Sequence, residues 1–143
     1  MNHSVKTAGT RGFTLIELMI AVAVLAIIVG IAIPSYTQYV LKSGRADAKN
    51  LLMQSAQTLE RCYTRFSAYD DANCPISQGD TIMSENEKYE MTATTVGANE
   101  FDLTAVPRGG QTNDSDCGNF TLDHTGQKGA NGGTDAADIE KCW

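Results

Sequence analysis

From Phe13 to Ile33 the chain runs 21 residues with a single charge, Glu17. A helix of that length rises roughly 30 Å, the thickness of a bilayer's hydrocarbon core. The pattern then changes. Ala48, Leu52, Ser55, Leu59, Cys62 and Phe66 recur at alternating spacings of four and three, and Leu51, Ala56 and Tyr63 widen the stripe. Such periodicity marks a helix with one buried face. Lys42, Arg45, Asp47, Lys49, Glu60, Arg61 and Arg65 fall on the other, solvent-directed face. Together the two stretches predict one long helix from Phe13 to about Phe66, roughly 80 Å from end to end. Its hydrophobic half covers residues 13–34 and its amphipathic half residues 35–66. Pro34 lacks an N–H and crowds the carbonyl four residues back, so a kink is expected there. Gly30 loosens the same turn, and Gly44 is a second weak point.

An amphipathic stripe needs something to pack against, and the remaining chain supplies it. Residues 67–87 read as an irregular connection, with Asp70, Asp71, Asn73, Pro75 and Gly79 breaking any period. Residues 88–96 alternate Tyr89, Met91 and Ala93 against Glu90, Thr92 and Thr94, and residues 100–106 alternate Phe101, Leu103 and Ala105 against Asp102 and Thr104. With Gly97-Ala98-Asn99 as the turn, these form an antiparallel hairpin with one apolar face. Residues 111–116 read as a polar loop. Residues 117–122 predict a third strand with Phe120 and Leu122 on one face, and residues 129–138 a glycine-rich loop. The fold class is therefore α+β: a long N-terminal helix whose second half packs on a small antiparallel sheet, residues 88–143.

Composition narrows the chemistry. Of 11 basic residues two, Lys6 and Arg11, precede Phe13, leaving nine against 17 acidic ones, a formal charge of −8. That balance opposes nonspecific nucleic-acid binding through the global field, although Arg108, Lys128 and Lys141 could form a local basic patch. The four cysteines, Cys62, Cys74, Cys117 and Cys142, all follow the apolar run, and their even number in an exported domain of this size reads as two disulfides with three possible connectivities. Their spacing does not fit zinc. No cofactor or metal is expected. Asn113-Asp114-Ser115-Asp116 has carboxylates that could meet calcium but lacks the rest of the loop pattern, so it reads as a solvated loop. Two N-glycosylation sequons, at Asn113 and Asn119, are short matches of the kind that arise by chance. His124 stands alone in a turn, and no nucleophile–base set or phosphate-binding loop accompanies it, so no enzyme activity is expected.

Glu17 requires its own account, because a carboxylate at that depth in lipid costs about 3 kcal/mol unless it finds a partner. Upstream, residues 1–12 hold Lys6 and Arg11 and no acid, the character of an export leader. The small residue at which a leader could be cut, Gly12, lies before the apolar run, so cleavage there would leave the helix on the mature protein with a free amine at Phe13. The run Arg11-Gly12-Phe13-Thr14-Leu15-Ile16-Glu17 resembles the processing site of type IV prepilins. Gly30-Ile31-Ala32-Ile33-Pro34 and Tyr36 are similar to that family's N-terminal helix, and Cys117-Gly118-Asn119-Phe120-Thr121-Leu122-Asp123 with Cys142-Trp143 resembles its PilE-like members.

The resemblance implies cleavage between Gly12 and Phe13, N-methylation of Phe13 by the same prepilin peptidase, and pairing of Glu17 with the Phe13 amine of a neighbouring subunit. It implies a single-pass inner-membrane protein that passes through the pilus assembly platform into a filament of pilin subunits. The head is then periplasmic or extracellular, and a minor pilin fits better than a major one. It also supports Cys117–Cys142, a bridge bounding a C-terminal loop, which leaves Cys62–Cys74. A pilin head that captures DNA, one that adheres to a host surface, and a type II secretion pseudopilin are the competing readings.

Overall fold

The computed structural model describes residues 12–143; Lys6, Arg11 and the rest of the expected leader ahead of Gly12 lie outside them. Helix α1 spans Leu15–Phe66, 52 residues without interruption at Pro34. It is long and apolar enough to cross a membrane. Strands β1 (Thr81–Met83), β2 (Tyr89–Val96) and β3 (Phe101–Pro107) follow, then a 3-10 turn over Gly109–Asn113, β4 (Phe120–Asp123), β5 (Lys128–Ala130) and helix α2 (Ala136–Cys142).

The chain divides into two compact units, with the boundary at Gln38 and Tyr39. In the first, residues 12–38 are exposed at every position, including Leu15, Ile16, Leu18, Ile20, Leu25, Ile28 and Ile31. Among these described residues no core is built, and the apolar surface is left for an apolar surrounding.

In the second unit, five strands form an antiparallel meander in the order β1-β2-β3-β4-β5. Alternation decides which side faces α1. Tyr89, Met91 and Ala93 on β2, Phe101, Leu103 and Ala105 on β3, and Phe120 and Leu122 on β4 are all buried. They share a core with Ala48, Leu51, Leu52 and Leu59 of α1. The β2–β3 register slips between Ala93 and Thr95, where a bulge accommodates Thr94, whose hydroxyl donates to the Asp102 carbonyl (3.0 Å). The extra residue resets the alternation, so that Val96 rather than Thr95 is buried. Disulfides Cys62–Cys74 and Cys117–Cys142, each with Cα atoms 5.6 Å apart, tie the 67–80 segment to α1 and α2 to the turn ahead of β4. Closing each loop removes about 3 kcal/mol of unfolded-chain entropy in the loop-closure model.

Three expectations are corrected. Arg45 and Asp47 do not lie on an exposed face of α1: both are buried. The helical stripe extends backwards from Ala48 at the same spacing, through Arg45 to Leu41, so Arg45 sits on the core face and needs an internal anion. Asp114 supplies it. The Arg45 guanidinium donates from Nε and Nη2 to the two Asp114 oxygens at 2.7 and 2.8 Å. Asp47 accepts from the Asn86 backbone and side chain at 3.3 and 2.9 Å. Second, residues 111–116 are not simply a polar loop. Gln111 and Asp114 are buried, and the Gln111 amide donates to the Leu41 carbonyl (3.0 Å) and the Tyr89 hydroxyl (3.2 Å). Third, the connection at 67–87 contains β1, and the 129–138 stretch contains the end of β5 and the start of α2. Each of these elements is too short to show a period. β1 is held by pairing onto β2, while α2 is anchored by Cys142 and by Trp143, whose indole N–H donates to the Gly129 carbonyl (2.8 Å).

Gly44 is required by this arrangement. A Cβ there would overlap the Gln111 side-chain amide where it lies against α1. Gly44→Ala is expected to lower stability by about 1–3 kcal/mol despite alanine's better helix propensity, seen as a lower urea midpoint; an unchanged or raised midpoint would contradict the close approach. Burial also pushes the Tyr89 phenol up to about 12, and burial with a hydrogen bond to Glu60 does the same for Tyr69. The unfolded chain gives up these protons near pH 10 and the folded chain later, so their contribution is complete below about pH 10 and is lost as pH rises through about 12. Urea midpoints measured across that window should fall, and absorbance titration should show two late-ionising tyrosines.

Candidate functional site

The expected assembly residues stand at the start of α1. Phe13 is fully presented to the surroundings, and Glu17 is exposed. The Thr14 hydroxyl accepts from the Glu17 backbone N–H at 3.3 Å, and Glu17 Oε2 accepts from the Thr14 N–H at 3.5 Å. This is a reciprocal capping box of the Thr-x-x-Glu type, which satisfies two otherwise orphaned donors. The signature is legible in the residues themselves, as Thr14-Leu15-Ile16-Glu17. The carboxylate's hydrogen bond is long, and two oxygens offer about four acceptor sites, so capping leaves Glu17 free to accept a cation as well.

On the second unit the question is where positive charge is available. Arg108 forms an ion pair with Glu90, and Lys141 with Asp116 (2.9 Å). Lys128 lies over the Trp143 indole, 5.0 Å from its centroid. The three residues singled out for a basic patch thus have three different partners. Two of them are neutralised by acids. The Asn113–Asp116 run is equally committed. Asp114 is closed in by Arg45, and the hydrogen bond and charge of Lys141 hold Asp116 below the ordinary carboxylate range. His124 is exposed in the turn after β4, edge-on to Phe101.

A cluster that sequence did not indicate forms around Trp143. The Lys49 ammonium donates to the Trp143 carbonyl at 2.8 Å. Its pKa is lowered by burial first, then by the positive charges of Arg45 and Lys128. Phe120 meets the indole edge-on at 5.7 Å. Lys49 and Lys128 therefore fasten Trp143 to α1 and to the β4–β5 edge. Lys42, Arg61, Arg65 and Lys88 make no ion pair within 4 Å among the described residues.

Comparison with known proteins bears on both regions. Residues 8–33 match the prokaryotic N-terminal methylation motif. Residues 34–121 match the family described as type IV minor pilin ComP, DNA uptake sequence receptor. The fimbrial protein EcpC of Eikenella corrodens is 51% identical over 41 residues, which is 29% of this chain and 27% of that protein. The type IV major pilin PilA of Myxococcus xanthus is 38% identical over 61 residues, 43% of this chain and 28% of that protein. The chain spans less than half the length of the curated relatives it matches. Among solved structures, the non-core minor pilin PilV of Neisseria meningitidis has the same fold, with a TM-score of 0.51 at 19% identity over 68% of this chain and 93% of that one. With one family model covering more than half of its residues and the methylation motif immediately ahead of it, the chain belongs to the ComP-type minor pilins of the type IV pilin family.

Proposed function

We propose that this minor pilin is built into a type IV pilus through the first half of α1 and uses its head to capture DNA on the filament. The observation that carries the reading is the match of residues 34–121, most of the head, to a family described as a DNA uptake sequence receptor. Cleavage after Gly12 by the prepilin peptidase and methylation of Phe13 leave an apolar helix in the inner membrane. Assembly moves that face from lipid into a bundle of like helices. The two surroundings are about equally apolar, so van der Waals packing and buried polar pairs must select the register rather than a hydrophobic gain. Glu17 provides the selection: once the helix start is desolvated, its carboxylate tolerates only the position that places a neighbour's Phe13 amine beside it. Pro34, which lacks an N–H, is the expected place for a bend in the same half. The acidic charge of the head means that DNA is met by local cations and not by the field of the whole molecule.

Two experiments test the parts separately. Gly12→Val should leave the leader attached, visible as an unshifted band, whereas Glu17→Val should be processed and exported yet absent from sheared pili; incorporation of that variant at the normal level would refute the pairing role. For the head, the full-length protein in detergent should retard a labelled DNA duplex, with log affinity falling linearly as log salt rises. No retardation at about 50 mM salt would refute DNA capture.

A further inference from the structure

Nine cations follow Gly12, and their partners divide them sharply. Arg45, Arg108 and Lys141 hold acids, Lys49 holds a carbonyl and Lys128 an indole. Of those left, Arg61 and Arg65 stand one helical turn apart on the exposed side of α1. We propose that these two arginines are a clamp for the phosphodiester backbone of DNA; the inference rests on the DNA-capture reading and locates it.

The spacing is the first argument. Like charges four residues apart on a helix repel, and that repulsion is normally relieved by acids three or four positions away. Around Arg61 those positions are Gln57, Thr58 and Thr64, and the preceding ones around Arg65 are Arg61 itself and Cys62. With 17 acids in the chain, none lies within 4 Å of either guanidinium among the described residues. Arg65, in the last turn, complements the negative end of the helix dipole. Arg61, a turn earlier, has no such role.

The surroundings are the second argument. Both arginines line a cleft of about 260 Å³ with Thr58, Phe66, Asn73 and Pro75. Its far wall is the segment that the Cys62–Cys74 disulfide holds against α1. Of the two acids in that loop, Asp70 and Asp71, neither pairs with the cleft's arginines within 4 Å, and one Asp71 oxygen accepts from both the backbone and the side-chain nitrogen of Asn73, at 2.9 and 2.8 Å. The Arg65 guanidinium lies 5.3 Å from the Phe66 ring centroid, which restricts its orientation. Two planar forks with no acid within 4 Å among the described residues, beside a wall tied to α1 by a disulfide, suit phosphate oxygens, which guanidinium groups grip with paired hydrogen bonds.

The test compares full-length wild type in detergent with Arg61→Gln/Arg65→Gln and Arg61→Lys/Arg65→Lys, by fluorescence anisotropy of a labelled duplex from about 50 to about 200 mM salt. The glutamine variant should bind about tenfold or more weakly, and its salt slope should shrink by about 2, one per lost phosphate contact. The lysine variant should keep the slope. Thermal melts of both should match wild type, since both side chains are exposed. Wild-type binding with an unchanged slope in the glutamine variant would overturn the clamp and leave DNA capture standing. Absence of wild-type binding would overturn both. A glutamine variant that binds DNA normally but is missing from sheared pili would make the pair a contact between subunits, which also overturns the clamp.

Discussion

The head depends on one buried ion pair. Arg45 extends the core stripe of α1, where a charge is costly to desolvate, and Asp114 meets it from the loop after the sheet's third strand with two hydrogen bonds. The pair is satisfied beyond its own contact. Gln111 spans the Leu41 carbonyl, the Tyr89 hydroxyl and an Asp114 oxygen, and Gly44 leaves room for it. A network of this kind fixes register, because any other position of the loop along α1 leaves a buried charge alone. Three residues after Asp114 comes Cys117, so the same pair positions the second disulfide, α2 and Trp143.

Much of this was legible in the residues, and the illegible parts have physical reasons. Long elements declare themselves by repetition: the α1 stripe from Ala48 to Cys62 and the alternations at Tyr89–Ala93 and Phe101–Ala105 are buried where the pattern places them. Arg45 obeys the same spacing, yet its charge argues for solvent, and only a distant loop can reverse that argument. Asp114 and Gln111 look like ordinary loop residues for the same reason, since their partners are about 70 positions away. β1, β5 and α2 are three, three and seven residues long and exist through pairing and a disulfide rather than through their own periodicity. At the N-terminus the capping box of Thr14 and Glu17 could have been read directly, and it gives Glu17 a local role in helix initiation besides any pairing between subunits.

The two units divide the work of a pilus subunit. The first leaves the apolar side chains of its described residues, 12–38, uncovered, as a segment must that lives in lipid or among helices like itself. The second is a closed, acidic body whose cations are mostly consumed internally, so the few left over determine what anion it can meet. An acidic surface with few unpaired cations among its described residues favours contact at a defined place over general adhesion to polyanions.

The organising role of the ion pair is tested most directly by a double-mutant cycle at Arg45 and Asp114, read by urea unfolding. Arg45→Met and Asp114→Leu should each cost about 3–5 kcal/mol, because each strands a buried charge. The double variant should be far less destabilised than the sum of the two, and close to wild type if the apolar pair packs well. Additive losses, or single substitutions that cost little, would contradict the account.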